Sequence, residues 1–124
     1  MRYILVVDDN PVNAKLAGFL LEAAGYGVLV AENADEAMIR IAQQRPDLIL
    51  MDLQLPGTDG LTLTRQLKAD PRFALIPIVA LTASAMKGDE EKALQAGCDG
   101  YLAKPLDTRA FARQIGDILR DTRR

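Results

Sequence analysis

The chain has 124 residues, enough at roughly 100–200 per domain for one domain, and its composition of 49% hydrophobic and 26% charged residues is that of an ordinary globule. Seventeen acids against fifteen bases give a net charge of −2, which predicts no direct nucleic-acid binding, and the lack of any histidine excludes Ser-His-Asp and Cys-His catalysis, nearly all zinc sites and a phosphohistidine carrier. One cysteine, Cys98, excludes an internal disulfide, and no apolar run reaches the ~18–20 residues of a membrane span, so a single cytoplasmic domain over 1–124 with no effector domain is expected.

Short apolar runs alternate with helical periodicity. Tyr3–Val7 has no polar residue, as a strand buried on both faces requires. Asp8-Asp9-Asn10-Pro11 follows, where Asn10 can cap a helix and Pro11 suits its first turn. Val12, Leu16, Phe19, Leu20 and Ala23 fall on one face of that helix, which Gly25 stops. Val28–Ala31 reads as a second strand, and Asn33 with Asp35 and Glu36 starts a second helix ending at Arg45-Pro46. Leu48–Met51 is the third buried run and finishes on Asp52. A loop, Leu53–Asp59, leads to a helix from about Gly60 to Lys68. Ile78–Leu81 ends on Thr82, and a weakly apolar helix over Met86–Ala96 has only Met86, Ala93, Leu94 and Ala96 to face a core. Tyr101–Ala103 is a short fifth strand before Lys104-Pro105. Asp107 caps a last helix whose Phe111, Ile115, Ile118 and Leu119 share a face.

Five strand–helix cycles predict an α/β fold of flavodoxin-like (βα)5 type, a three-layer sandwich on a parallel sheet. The second strand is the least apolar, which favours an edge position and the order 2-1-3-4-5. Ligands of such sheets bind beyond the carboxyl ends of the strands. There the chain places Asp8, Asp9, Asp52, Thr82 and Lys104. Each alone reads as turn or capping chemistry, but three acids, a hydroxyl and a lysine at one edge make a hard, all-oxygen site suited to Mg²⁺. Three carboxylates, one divalent cation and Lys104 sum to zero charge, so the site can accept a phosphoryl group. Without metal, mutual repulsion should raise a carboxylate pKa.

Asp8-Asp9, the run Asp52-Leu53-Gln54-Leu55-Pro56-Gly57-Thr58-Asp59-Gly60, Leu81-Thr82-Ala83 and Lys104-Pro105 resemble the signature of response-regulator receiver domains, in order and over essentially the whole chain. The stretch Ala85–Glu91 and Gly97-Cys98 also resemble the DivK subgroup of single-domain regulators, and receivers attached to hybrid kinases. The resemblance implies a bacterial two-component phosphorelay protein. Asp52 would be the phosphoacceptor, charged by a histidine kinase or phosphotransferase. Asp9, Asp52 and the Gln54 backbone carbonyl would bind Mg²⁺ (Mn²⁺ substituting), with Asp8 acting mainly through water. Thr82 and Lys104 would contact the phosphoryl group, Tyr101 would follow the movement of Thr82, and Gln54 and Ser84 would set phosphoryl lifetime. A cis bond at Pro105 would hold Lys104 inward.

Arg109, Arg113, Arg120 and Arg124 fall within roughly 60° of helical arc at ~100° per residue, a candidate docking stripe for an acidic partner. The implied product is a signalling module, monomer or weak dimer, that catalyses only its own phosphorylation and dephosphorylation. A receiver excised from a hybrid kinase stays open. An aspartyl-phosphate phosphohydrolase is disfavoured because Gln54 stands where its second acid belongs. A flavodoxin-type redox carrier is disfavoured because Asp8-Asp9 would repel a flavin phosphate.

Overall fold

The computed structural model describes residues 2–55, 57, 59–82, 87–104 and 106–122. Five strands and five helices alternate: β1 (Tyr3–Val7), α1 (Pro11–Ala23), β2 (Gly27–Ala31), α2 (Ala34–Gln43), β3 (Leu48–Asp52), α3 (Gly60–Ala69), β4 (Ile78–Thr82), α4 (Lys87–Ala96), β5 (Gly100–Ala103) and α5 (Phe111–Thr122). All strand pairs are parallel, and the sheet order is β2-β1-β3-β4-β5, the predicted arrangement. The central strands β1, β3 and β4 are buried almost throughout, whereas β2 is largely half-buried, as its composition and edge position require.

Strand periodicity divides the core into two. Leu5, Val7, Ile49, Met51, Ile78 and Ala80 face α2, α3 and α4, meeting Ala37, Ile41, Leu63, Leu67 and Ala93. Ile4, Val6, Leu48, Leu50, Val79 and Leu81 face α1 and α5, meeting Ala17, Leu21, Phe111 and Ile115. Three layers result. Helix starts are capped as the sequence predicts: Asn10 Oδ1 accepts from the Val12 and Asn13 amides at 2.9 and 3.2 Å, and Asn33 Oδ1 from Glu36 N at 2.8 Å. Asp59 Oδ1 accepts from Thr62 N at 2.8 Å, and Asp107 Oδ1 from Arg109 and Ala110 at 3.0 and 3.3 Å.

α1 is turned the other way from the expected face. Ala14, Ala17, Gly18 and Leu21 are buried, while Val12 is 74%, Phe19 70% and Leu16 38% exposed. Two apolar stripes of helical period coexist in this segment, and the one with small residues wins because it lets the helix axis approach the sheet. In α4, Ala93 and Ala96 are buried but Leu94 is exposed, so this helix is held by small contacts. Met86 lies outside the described residues. Of the expected arginine stripe, Arg109 lies in the turn that leads into α5, where the Phe111 amide donates to Asp107 O at 2.9 Å.

Candidate functional site

The ends of β1 and β3 bring two acids together. The Asp8 amide donates to Ala31 O at 3.0 Å, and its Oδ1 accepts from Asn10 N at 2.9 Å, so the turn into α1 is closed by the same carboxylate that faces the site. Asp52 repeats this device, its Oδ1 accepting from Gln54 N at 2.9 Å. Both are nearly inaccessible, at 2% for Asp8 and 3% for Asp52. Asp9, one residue on, is exposed.

β5 supplies the cation. The Lys104 amide donates to Thr82 O at 2.7 Å, continuing the β4–β5 pairing one residue past the sheet. That bond aims the lysine inward: its Nζ donates to Asp52 Oδ2 at 3.1 Å and lies 3.5 Å from Asp8 Oδ2. Thr82 is 2% exposed at the end of β4. Tyr101 is half-buried and packs against the core on the α2–α3–α4 side.

Burial is the first reason that the Asp8 carboxyl is pushed above its ordinary value of 3.8, opposed by the Asn10 amide; the Asp52 charge pushes it further up, and Lys104 pulls it down. The expected carboxylate conflict therefore falls on Asp8. Among the described residues, Asp8 Oδ2 is the buried side-chain oxygen without a hydrogen bond. One oxygen each from Asp8, Asp9 and Asp52 lies within 4.8 Å of the others. An all-oxygen donor set with an orphaned buried acceptor fits a hard divalent cation such as Mg²⁺ or Mn²⁺.

The turn after Asp52 depends on a residue to which the sequence pattern gives no role beyond opening α3. A Cβ on Gly60 would lie 2.3 Å from Asp52 O and 2.8 Å from Leu53 Cα, so α3 starts directly against the acid's own backbone. The signal available was a glycine immediately after the capping Asp59. The apolar face of α1 was also missed as a surface; it starts beside Asp9. Leu16 and Asn13, with Leu81, Leu106 and Lys104, line a cavity of about 50 Å³ reaching from α1 to the site.

Of the residues expected at the site, Asp8, Asp9, Asp52, Thr82 and Lys104 converge at one sheet edge. Gln54 is exposed, bound to Asp52 by its amide. Ser84, Pro105 and Arg124 lie outside the described residues. Arg113 and Arg120 are exposed, and Arg120 pairs with Asp117 of its own helix.

Known proteins share this sequence pattern and fold. Residues 4–115 match the model for the response regulator receiver domain. The polar-differentiation response regulator DivK of Brucella anthropi is 45% identical over 97% of this chain and 98% of its own length. A two-component response regulator from Clostridium difficile superposes with a TM-score of 0.91 at 29% identity, covering 100% of both chains. The receiver domain of a sensor histidine kinase from Pseudomonas aeruginosa, solved with magnesium coordinated in its active-site cleft, superposes at 0.86 with 40% identity over 95% of this chain and 97% of that one. With residues 4–115 matching that family's model and a relative 45% identical over nearly the whole chain, this protein belongs to the response regulator receiver domain family.

Proposed function

We propose that Asp52 accepts a phosphoryl group from the phosphohistidine of a histidine kinase or phosphotransferase, and that the modified domain signals by protein contact. The observation that carries this reading is the buried Asp52 carboxylate, fixed through Oδ1 by Gln54 N and paired through Oδ2 with Lys104 at 3.1 Å. An oxygen of Asp52 attacks phosphorus and forms the O–P bond while the donor's N–P bond breaks. The N–P electron pair stays on the donor imidazole, which leaves as the neutral ring on protonation. Lys104, already on Asp52, balances charge on the arriving phosphoryl oxygens, and Thr82 at the adjacent strand end is the hydroxyl placed to contact them.

Asp8, Asp9, Asp52 and the Gln54 carbonyl would hold Mg²⁺, which supplies charge neutralisation at the phosphoryl group. Asp8, having no donor for Oδ2, orients the other ligands or their water. Gln54, polar and exposed next to the acid, orients a hydrolytic water in this reading and so gives spontaneous turnover.

These 124 residues include no histidine, so the donor phosphohistidine lies outside them and must approach the open end of the sheet. The exposed line Val12, Leu16 and Phe19 runs along α1 away from that end and supports docking of an apolar helical surface there. Arg113 and Arg120 on α5 remain the proposed basic contacts for an acidic partner.

The test is incubation of the purified chain with acetyl phosphate and Mg²⁺, followed by intact-mass measurement. The mass increase of one phosphoryl group, lost on hydroxylamine treatment and absent in Asp52→Asn, is expected. An unmodified wild-type protein, or equal modification of Asp52→Asn, overturns the assignment.

A further inference from the structure

The sheet's other edge carries a second recessed surface. Arg2 precedes β1, Arg45-Pro46-Asp47 precedes β3, and Leu75-Ile76-Pro77 precedes β4; with Leu119 of α5 they enclose a cavity of about 150 Å³. It lies at the amino ends of the strands, opposite the acidic site. Its floor is apolar, made of the buried Pro46, Ile76, Pro77 and Leu119, and the prolines bring no N–H donors. Leu75 stands at the rim 86% exposed, the most accessible large hydrophobic residue among those described.

The rim is cationic. Asp47 turns Oδ2 to the Tyr3 amide at 2.8 Å, and nearby Asp70 is taken by Arg72 at 2.7 Å. Arg2 and Arg45 form no ion pair among the described residues. Arg45 spends one N–H on Arg72 O at 2.7 Å, which fixes its guanidinium while leaving donors for a ligand. A cavity this size admits one aliphatic side chain, and two unpaired guanidinium groups beside it favour a carboxylate.

We propose that this pocket docks a partner polypeptide that presents an aliphatic side chain next to acidic residues, at a surface separate from the phosphoacceptor edge. The apolar floor takes the side chain, and Arg2 and Arg45 take the carboxylates. Lost packing without the aliphatic anchor, and lost charge pairing without the acids, would each weaken it.

The test is a two-dimensional amide NMR titration of the full chain with the capped peptide acetyl-Leu-Glu-Glu-amide, against acetyl-Ala-Glu-Glu-amide and acetyl-Leu-Lys-Lys-amide. Saturable shifts at Arg45, Asp47, Leu75, Ile76 and Leu119 are expected for the first peptide only. Arg45→Glu should weaken that binding by roughly fivefold, and added salt should weaken it further. Arg45 is exposed, so the variant should keep the wild-type spectrum elsewhere. Absence of these shifts overturns the proposal, as does equal binding of the lysine peptide or shifts confined to Asp8, Asp9 and Lys104. Concentration-dependent shifts at the pocket without peptide would assign the surface to a second copy. Shifts with phosphatidylglycerol vesicles but not with peptide would assign it to lipid. Either result overturns it too.

Discussion

Asp8→Asn should stabilise the metal-free protein. The substitution keeps an acceptor for the Asn10 amide, now bonded at 2.9 Å, and removes a charge that is 2% exposed. Two Coulomb terms act on that charge in opposite senses: Asp52, with an oxygen within 4.8 Å, repels it, and Lys104 at 3.5 Å attracts it. Burial therefore decides the sign, and relieving an unpaired buried acceptor is worth about 1–3 kcal/mol. For a domain of this size that is roughly 4–12 °C in Tm. The pH dependence follows from the folded Asp8 pKa being raised above 3.8. The native state then binds more protons than the unfolded chain, so wild-type stability falls as pH rises from 3.8 through the folded pKa. The gain in Asp8→Asn is accordingly larger at pH 7 than below pH 3.8, where Asp8 is protonated in both states, and it shrinks as pH falls from the folded pKa to 3.8. Calorimetric melts in EDTA at both pH values measure it. Mg²⁺ at 100 times Kd should add about 2.7 kcal/mol to the wild type and less to the variant. An unchanged or lowered Tm for Asp8→Asn at pH 7 in EDTA would refute the reasoning.

Other residues yield separate expectations. Gly60→Ala forces a methyl to 2.3 Å from Asp52 O, so urea denaturation should show a loss of about 3 kcal/mol or more. Lys68 donates to Ala74 O, Ile76 O and Asp99 Oδ2 at 3.2, 2.9 and 2.9 Å with its side chain 19% exposed; Lys68→Met should cost about 2–4 kcal/mol by the same assay. Asp59→Ala removes the cap of α3 and should cost about 1 kcal/mol at pH 7. The Thr62 amide holds the Asp59 carboxyl below 3.8, so this contribution is present above that pH and disappears as pH falls through the lower folded value, which melts across an acid series would record. Phe19→Ser should leave stability within about 0.5 kcal/mol of wild type, because the ring is 70% exposed, while slowing phosphorylation by a protein donor but not by acetyl phosphate.

The strands were legible because a parallel sheet buried on both faces needs uninterrupted apolar runs, and Tyr3–Val7, Leu48–Met51 and Ile78–Leu81 supply them. The acids and lysine were legible for a related reason: Asp8, Asp52 and Lys104 each stand at the first polar position after such a run, with Asp9 next to Asp8, so topology alone gathers them. Helix orientation was not. In α1 both stripes are apolar, and choosing between them requires the distance from helix to sheet, which Ala14, Ala17 and Gly18 set collectively. Nor could spacing reveal which carboxylate carries the electrostatic conflict. Asp8 and Asp9 are adjacent in sequence, yet one is buried and the other is exposed.

The inverted α1 separates two demands that usually compete. Its buried residues Ala14, Ala17, Gly18 and Leu21 hold the helix to the sheet, while the outward Val12 and Phe19, 74% and 70% exposed, contribute little to folding. Mutation can therefore rewrite that outer line with almost no effect on stability. A duplicated copy of this protein could drift toward a new donor, and away from crosstalk with the old one, without first crossing a region of sequence in which it fails to fold.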